Sequence, residues 1–191
     1  MISTTTPSGI NKHVRALRDK IASPIEPVFV QVQTRTDARS AECFEATATH
    51  VAEFGGSSVV GWQVWELPGI LIEGEFHAVW KNPDGVLIDV SRKDDGENQI
   101  LFIPDPRITY TGEKIDSIRL PIGKNPKIKQ LISMKEQFYR LFKQVHGNAT
   151  GMIVLKGELA DLHTLSERLG SELAVSREAQ RALALSYRRQ R

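Results

Sequence analysis

A predicted β-hairpin at residues 73–91 constrains the fold of this chain more than any other stretch. Its sequence, EGEFHAVWKNPDGVLIDVS, holds two apolar runs on either side of the tetrapeptide NPDG. Asn, Pro, Asp and Gly in this order favour a type I turn followed by a left-handed glycine, which adds a β-bulge and shifts the pairing register by one residue. We therefore predict that His77 pairs with Ser91 and that Val79 pairs with Asp89.

The bulged register decides which side chains share a face of the hairpin. Because side chains alternate along a strand, this register places His77 and Asp89 diagonally on one face, with their β-carbons roughly 7 Å apart. A hydrogen bond between the two side chains is possible at that separation. Without the bulge they would point to opposite faces. In the bulged register the other face is entirely apolar and consists of Phe76, Ala78, Trp80, Val86, Ile88 and Val90.

The one cysteine of the chain, Cys43, precedes the hairpin and lies in the first turn of a predicted helix. Ser40 is predicted as the N-cap of this helix, Glu42 falls in its first turn, and Gly55-Gly56 ends it. Backbone N–H groups and the helix dipole favour the thiolate at such a position and can help to bind an oxyanion. A nucleophile, a base and a residue that orients the base are thus all present in the sequence.

The order of these residues resembles that of the transglutaminase-like group of the papain-like cysteine enzymes. A Cys at a helix start, a His on a later strand and an Asp on the next strand, here within FHAVWKNPDGVLIDVS, is the chain order of that group, and arylamine N-acetyltransferases share it. The resemblance covers about residues 40–91. It implies that Cys43 is the nucleophile, His77 the general base and acid, and Asp89 the orienting residue. It also implies a papain/transglutaminase-like core, with the cysteine-bearing helix packed on an antiparallel sheet.

Strands and helices fall in separate runs along the chain, which predicts an α+β fold rather than an alternating α/β fold. Residues 1–123 are predicted to form the α+β core. Residues 124–191 are predicted to form a C-terminal helical extension, either separate or part of the same domain. A break is expected in the last helix near Gly170-Ser171. Beyond the Cys43 helix, the predicted elements are helices at 9–22, 127–147 and 158–191 and strands at 26–34, 58–68, 69–81, 86–91 and 99–104.

Composition narrows the classes of function. The 191 residues are 40% hydrophobic and 25% charged, as expected for a globular protein with a substantial core. A net charge of +2 is too small to indicate nucleic-acid or membrane binding, and no apolar run approaches the roughly 20 residues of a membrane-spanning helix. A single cysteine excludes an internal disulfide and a multi-cysteine zinc site. The N-terminal MISTTTPSGINK lacks the features of a signal peptide, so we expect a cytoplasmic protein, and we expect no cofactor.

Several residues also have simpler interpretations. Cys43 could be an inert core residue, Asp89 could merely end its strand, and Glu75 could orient His77 in place of Asp89. His50 shares a helix face with Cys43 and is predicted to be structural, although a metal site formed by Cys43, His50 and His77 is an alternative. The segment RKDDGEN, which follows Ser91, is predicted to be a solvated loop, and Trp62 and Trp65 are predicted on opposite faces of their strand.

Two classes of function follow. The first is a cysteine hydrolase or acyltransferase that forms an acyl-enzyme at Cys43 from an amide or thioester of a peptide or protein. The second is a non-catalytic interaction protein that uses the C-terminal helices and basic tail, because SAECFEA lacks the Gly, Gln or Trp that family members often carry beside the cysteine. A nucleic-acid binder is a weaker third hypothesis: LSERLGSELAVSREAQ resembles a helix-turn-helix, and SREAQRALALSYRRQR holds five arginines against one glutamate.

Overall fold

The part of the chain that the structure describes contains four helices and six strands. The computed structural model describes residues 4–94, 96–149 and 153–189, with residues 179–189 described by their backbone alone. In chain order the elements are α1 (Lys12–Ile21), β1 (Val28–Val32), α2 (Cys43–Phe54), β2 (Ser57–Leu67), β3 (Leu71–Lys81), β4 (Leu87–Asp89), β5 (Gln99–Pro104), β6 (Ile118–Pro121), α3 (Lys127–His146) and α4 (Glu158–Arg189).

Five of these strands close into a barrel. They pair in the order β2-β5-β1-β4-β3, β3 pairs again with β2, and β6 adds to β3 outside the ring. The predicted α+β class is confirmed, but the predicted antiparallel sheet is wrong at one pair, because β1 and β4 run parallel. The chain between them contains α2 and the long β2–β3 hairpin, which supplies the crossover that a parallel pair requires. The short strand β6 was not predicted.

The turn between β3 and β4 has the geometry that its sequence predicts. Gly85 has a φ of +86°, and its N–H donates to the Asn82 carbonyl at 2.9 Å. The Asn82 N–H donates to the Val86 carbonyl at 2.9 Å, so one extra residue is accommodated on the glycine side. Trp80 consequently pairs with Ile88. This is the bulged register, and the prediction is confirmed.

Alternation along the strands gives the barrel an inner and an outer surface. The outer surface packs against α1 through Trp62 and Phe76 and against α2 through Ile88 and Val90. The predicted apolar face of the hairpin is therefore the outer one. All five barrel strands contribute side chains to the inner cluster, which comprises Val28, Val30, Val32, Val59, Val79, Leu87, Ile100 and Phe102.

Helices α3 and α4 pack on each other and on the β2–β3 turn, through a cluster that includes Leu71, Leu131 and Leu173. The predicted break near Gly170-Ser171 is wrong, because α4 continues through it. Gly170 is buried, and a Cβ placed on it would lie 3.9 Å from the side chain of Leu131, an ordinary van der Waals distance, so the packing of α4 on α3 does not require a glycine here. No helix among the described residues is long and apolar enough to cross a membrane. The division at 123/124 stays a prediction.

Candidate active site

His77 and Asp89 meet on the inner surface of the barrel. His77 follows the alternation that also points Val79 inward, and its ring lies 6.4 Å from that of Phe102. Its Nε2 is 3.0 Å from Asp89 Oδ2, and the two side chains are 5% and 0% exposed. The predicted hydrogen bond is therefore present. The second carboxylate oxygen of Asp89 accepts hydrogen bonds from the N–H and the hydroxyl of Ser91, at 2.9 and 2.7 Å.

Lys93, whose side chain is buried, also contacts Asp89, and the sequence analysis missed it. Lys93 Nζ lies 2.7 Å from Asp89 Oδ2, the same oxygen that contacts His77, and the lysine side chain is only 7% exposed. The same ammonium donates to Gln63 Oε1 at 2.8 Å. The prediction that RKDDGEN is a solvated loop is thus wrong at Lys93. Its neighbours are charged and polar, so no local pattern signals that its side chain turns inward.

Gln63 is held in one orientation by this lysine. An ammonium group can only donate, so the amide oxygen must face Lys93 and the amide nitrogen must point away. The side chain of Gln63 is buried and lines the same cavity as Cys43 and His77. Its Nε2 has no hydrogen-bond partner among the described residues.

Cys43 is the first residue of α2, at the point where the chain enters the helix. The residue before it, Glu42, occupies the N-cap position and its side chain makes no capping hydrogen bond. The predicted cap is wrong, because Ser40 donates instead to Asp94 at 2.5 Å. Ala41 has a φ of +61°, which is uncommon for a residue with a side chain. The first N–H groups of an α-helix have no intrahelical acceptor, and the N-cap side chain supplies none in α2.

Cys43 and His77 line the same cavity, and the charge of a Cys43 thiolate acts on the His77 ring. Asp89 occupies Nε2, so Nδ1 is the ring nitrogen left for the sulfur. Burial alone would lower the pKa of His77, but the Cys43 thiolate and the Asp89 carboxylate outweigh it and raise the pKa to about 10. Burial would raise the pKa of Asp89, but His77 and Lys93 hold it well below its usual range. These shifts favour the imidazolium form of His77 and the carboxylate form of Asp89.

Cys43 and His77 both line a cavity of about 830 Å³ between the barrel end and helices α3 and α4. Aromatic side chains form much of its wall, and the rings of Phe44 and Tyr110 stack with centroids 3.7 Å apart. Two charged residues of the cavity wall pair with each other, since Arg119 Nε donates to Glu73 at 2.9 Å. The half-buried thiol thus faces a space large enough for a side chain or short peptide segment.

The structure separates the remaining candidates from this site. His50 accepts a hydrogen bond from Arg35 at 3.1 Å and its ring packs edge-on against Trp80, on the outer surface. No cluster of three or more His, Cys, Asp or Glu that could hold a metal occurs within the described residues, so the alternative metal site at Cys43, His50 and His77 is not formed.

Two further alternatives of the sequence analysis are resolved. Glu75 accepts a hydrogen bond from the Trp65 indole at 2.7 Å, which leaves Asp89 as the carboxylate on His77. Trp62 is a core residue on the outer surface, whereas Trp65 lines the cavity. The predicted opposite orientation of the two tryptophans is confirmed.

No protein-family model, curated protein or solved structure matches this chain. The resemblance to cysteine enzymes therefore depends on residues 40–91 alone. The chemical capacity of the site follows from the four groups that meet there, which are a thiol, an imidazole, a carboxylate and an ammonium.

Proposed function

We propose that this protein is a cysteine hydrolase or acyltransferase with a papain/transglutaminase-like core, and that it forms an acyl-enzyme at Cys43. The observation that carries this proposal is the buried 3.0 Å contact between His77 and Asp89 beside the only thiol of the chain. A buried His–Asp pair costs desolvation free energy that a purely apolar pair would avoid. Its placement on a cavity wall next to a half-buried cysteine supports a chemical use for it.

In the proposed first step, the Cys43 thiolate attacks the carbonyl carbon of an amide or thioester. A C–S bond forms and the carbonyl π electrons move to oxygen, which becomes an oxyanion. His77 then gives its proton to the leaving nitrogen or sulfur, the C–N or C–S bond of the substrate breaks, and the acyl group stays on Cys43. Asp89 holds the ring in orientation throughout and stabilises the imidazolium.

The second step regenerates the enzyme. Neutral His77 removes a proton from water or from an amine, which attacks the acyl carbon. The new tetrahedral intermediate expels the Cys43 thiolate, and the product is a carboxylic acid or a new amide. The geometry is compatible with either acceptor, so hydrolysis and transfer are both included in the proposal.

The oxyanion formed in each step needs hydrogen-bond donors near the sulfur. The N-terminus of α2, which begins at Cys43, offers backbone N–H groups that the side chain of its N-cap residue does not cap. The positive end of the helix dipole adds to their effect. This supports α2 as both the carrier of the nucleophile and the main oxyanion-binding element.

The proposed substrate is a peptide or protein amide or thioester. Aromatic rings and charged groups of both signs line the cavity, which suits a peptide better than a purely apolar ligand. A cytoplasmic location stays a prediction and agrees with the need for a reduced thiol.

The direct test is to incubate the protein with a small activated thioester and to record its intact mass. We expect one acyl adduct, mapped to Cys43, whose formation disappears in Cys43→Ala with the fold retained by circular dichroism. His50→Ala is the matched control, since it removes a histidine from the outer surface only, and it should acylate like the wild type. Adduct formation or turnover that survives Cys43→Ala would rule the assignment out.

The competing hypothesis of an interaction protein predicts a cysteine that is remote from His77 or sealed by apolar side chains. Cys43 is instead half-buried and lines the same cavity as His77, which supports the catalytic proposal. The nucleic-acid hypothesis loses its helix-turn-helix, because α4 has no turn near Gly170. The predicted basic tail is residues 176–191. From residue 179 onward its side chains lie outside the described part of the structure.

A further inference from the structure

Lys93 makes contacts that an ordinary surface lysine does not make. Its ammonium bridges two groups of the site, Asp89 Oδ2 at 2.7 Å and Gln63 Oε1 at 2.8 Å. Its side chain is 7% exposed, and Asp89 is fully buried. A lysine is rarely buried unless it is paired, so the fold keeps this side chain inside by giving it the carboxylate of the proposed orienting residue.

The effect of Lys93 on the site depends on which oxygen of Asp89 it contacts. Lys93 and His77 contact the same carboxylate oxygen of Asp89, at 2.7 and 3.0 Å. Two cations then compete for one negative charge, and the attraction of Asp89 for the His77 proton is weaker than it would be without the lysine.

We propose that Lys93 is a positioning residue of the active site, which fixes Asp89 and Gln63 relative to His77 and shifts the reactivity of Cys43 to lower pH. It adds a positive charge near the thiolate–imidazolium pair and takes up part of the charge of Asp89. Both effects favour loss of a proton from the pair at any given pH. This inference rests on the proposed function, because it concerns how the same site is tuned.

Other charged groups line the same cavity and face the pair from several elements. They are Glu45 of α2, Glu73 and Glu75 of β3, Arg92 and Asp94 after β4, Lys114 and Asp116 before β6, Arg119 of β6, Lys135 of α3, and His163 and Glu167 of α4. The groups that act most strongly on His77 are Cys43 and Asp89, and those that act most strongly on Asp89 are His77 and Lys93. Glu75, two residues along β3 on the same face as His77, accepts its hydrogen bond from an indole N–H instead. Lys93 contacts Asp89 directly, so its removal changes a charge that is one contact away from the His77 ring.

The experiment is the rate of Cys43 alkylation by iodoacetamide between pH 5 and 10.5, with the single cysteine as an unambiguous reporter. Lys93→Met removes the charge and keeps the chain length, and Lys93→Gln removes the charge and keeps a hydrogen-bond donor. We expect both to displace the rate profile to higher pH, with alkylation at pH 6 roughly threefold slower, since loss of a nearby cation makes every proton of the pair harder to remove. Lys93→Arg should restore the wild-type profile.

Two controls separate this role from a structural one. Lys81→Met removes an exposed lysine from the end of β3, and its profile should match the wild type. In an Asp89→Asn background, Lys93→Met should displace the profile to higher pH by less than it does alone, because only the direct effect of the lysine charge on the pair remains. A Lys93→Met profile that superimposes on the wild type overturns the inference, and so does complete loss of the fold in both charge-removing variants, since Lys93 would then serve the structure.

Failure of the proposed function itself has a different signature. In that case the wild-type Cys43 would alkylate like a free thiol, with a pKa of about 8.5, and His77→Ala would leave the profile unchanged. The inference about Lys93 fails alone when the profile depends on His77 and not on Lys93.

Discussion

Two clusters in this protein combine a histidine, a carboxylate and a cation, and their arrangements differ. The cavity cluster consists of His77, Asp89 and Lys93, with the carboxylate between the two cationic groups. The surface cluster surrounds Arg35, which donates to His50 at 3.1 Å and also binds two carboxylates, Asp37 and Glu53.

The charge of the group next to each ring, a carboxylate or a guanidinium, sets the direction in which the pKa of that histidine shifts. Burial opposes the charged form of His77, but the Cys43 thiolate and the Asp89 carboxylate raise the pKa of this histidine to about 10. In the surface cluster burial lowers the pKa of His50, and the guanidinium of Arg35 lowers it further. At neutral pH one ring is therefore an imidazolium poised to give a proton, and the other is neutral and packs against Trp80. The same residue types give a reactive pair or a structural contact according to which group lies next to the ring.

The largest expected difference between the two clusters is in their contribution to the rate of acylation. His77→Ala should lower the rate of acylation by about 10²–10⁴-fold, the usual contribution of general acid–base catalysis. His50→Ala should leave that rate within a factor of two, because the ring lies on the outer surface. Stopped-flow measurement of thiol release from a thioester checks both. Equal losses in the two variants would mean that the distinction between the clusters has no bearing on function.

Asp89→Asn is expected to have the next largest effect, on both rate and stability. Loss of the carboxylate leaves His77 and Lys93 buried without their shared partner, which should cost about 3 kcal/mol in the free energy of unfolding near pH 7. Urea denaturation with a fluorescence readout measures this loss. A variant as stable as the wild type would show that the buried pair contributes no net stability.

The pH dependence of that loss has a definite sign. Because the pKa of Asp89 is lowered in the fold, its contribution is present above the unfolded value of about 3.9 and disappears as the pH falls. The difference in unfolding free energy between wild type and Asp89→Asn should therefore shrink between about pH 5 and pH 2. The other acidic groups contribute equally to the unfolding free energy of both proteins, so their contributions cancel in this difference. A gap that widens toward low pH would contradict the assignment of the lowered pKa to Asp89.

The smallest expected effect concerns Arg35. Arg35→Met removes the guanidinium from His50, so the pKa of His50 should rise toward the ordinary value, although burial still opposes the charged form. A histidine-ring NMR titration measures the shift. Cys43 alkylation should be unchanged, since this cluster does not line the cavity. An altered alkylation profile would show that the surface cluster is coupled to the site.

The hairpin is the part of the site that local sequence determines. The NPDG turn and the alternation of the flanking strands set the register, and the register places His77 and Asp89 on one face. These effects act over a few residues, so they do not depend on the rest of the fold. The position of Cys43 in the first turn of α2 could be predicted for the same reason, although its cap could not.

The tertiary structure decided which side chains surround that pair. Lys93 has the sequence context of a solvated loop, and only the closed barrel brings it to Asp89 and Gln63. The parallel pairing of β1 with β4 and the packing of α4 on α3 likewise join segments that are distant in the chain. Such contacts form because the whole core closes at once, and their free energy depends on groups that no local window contains.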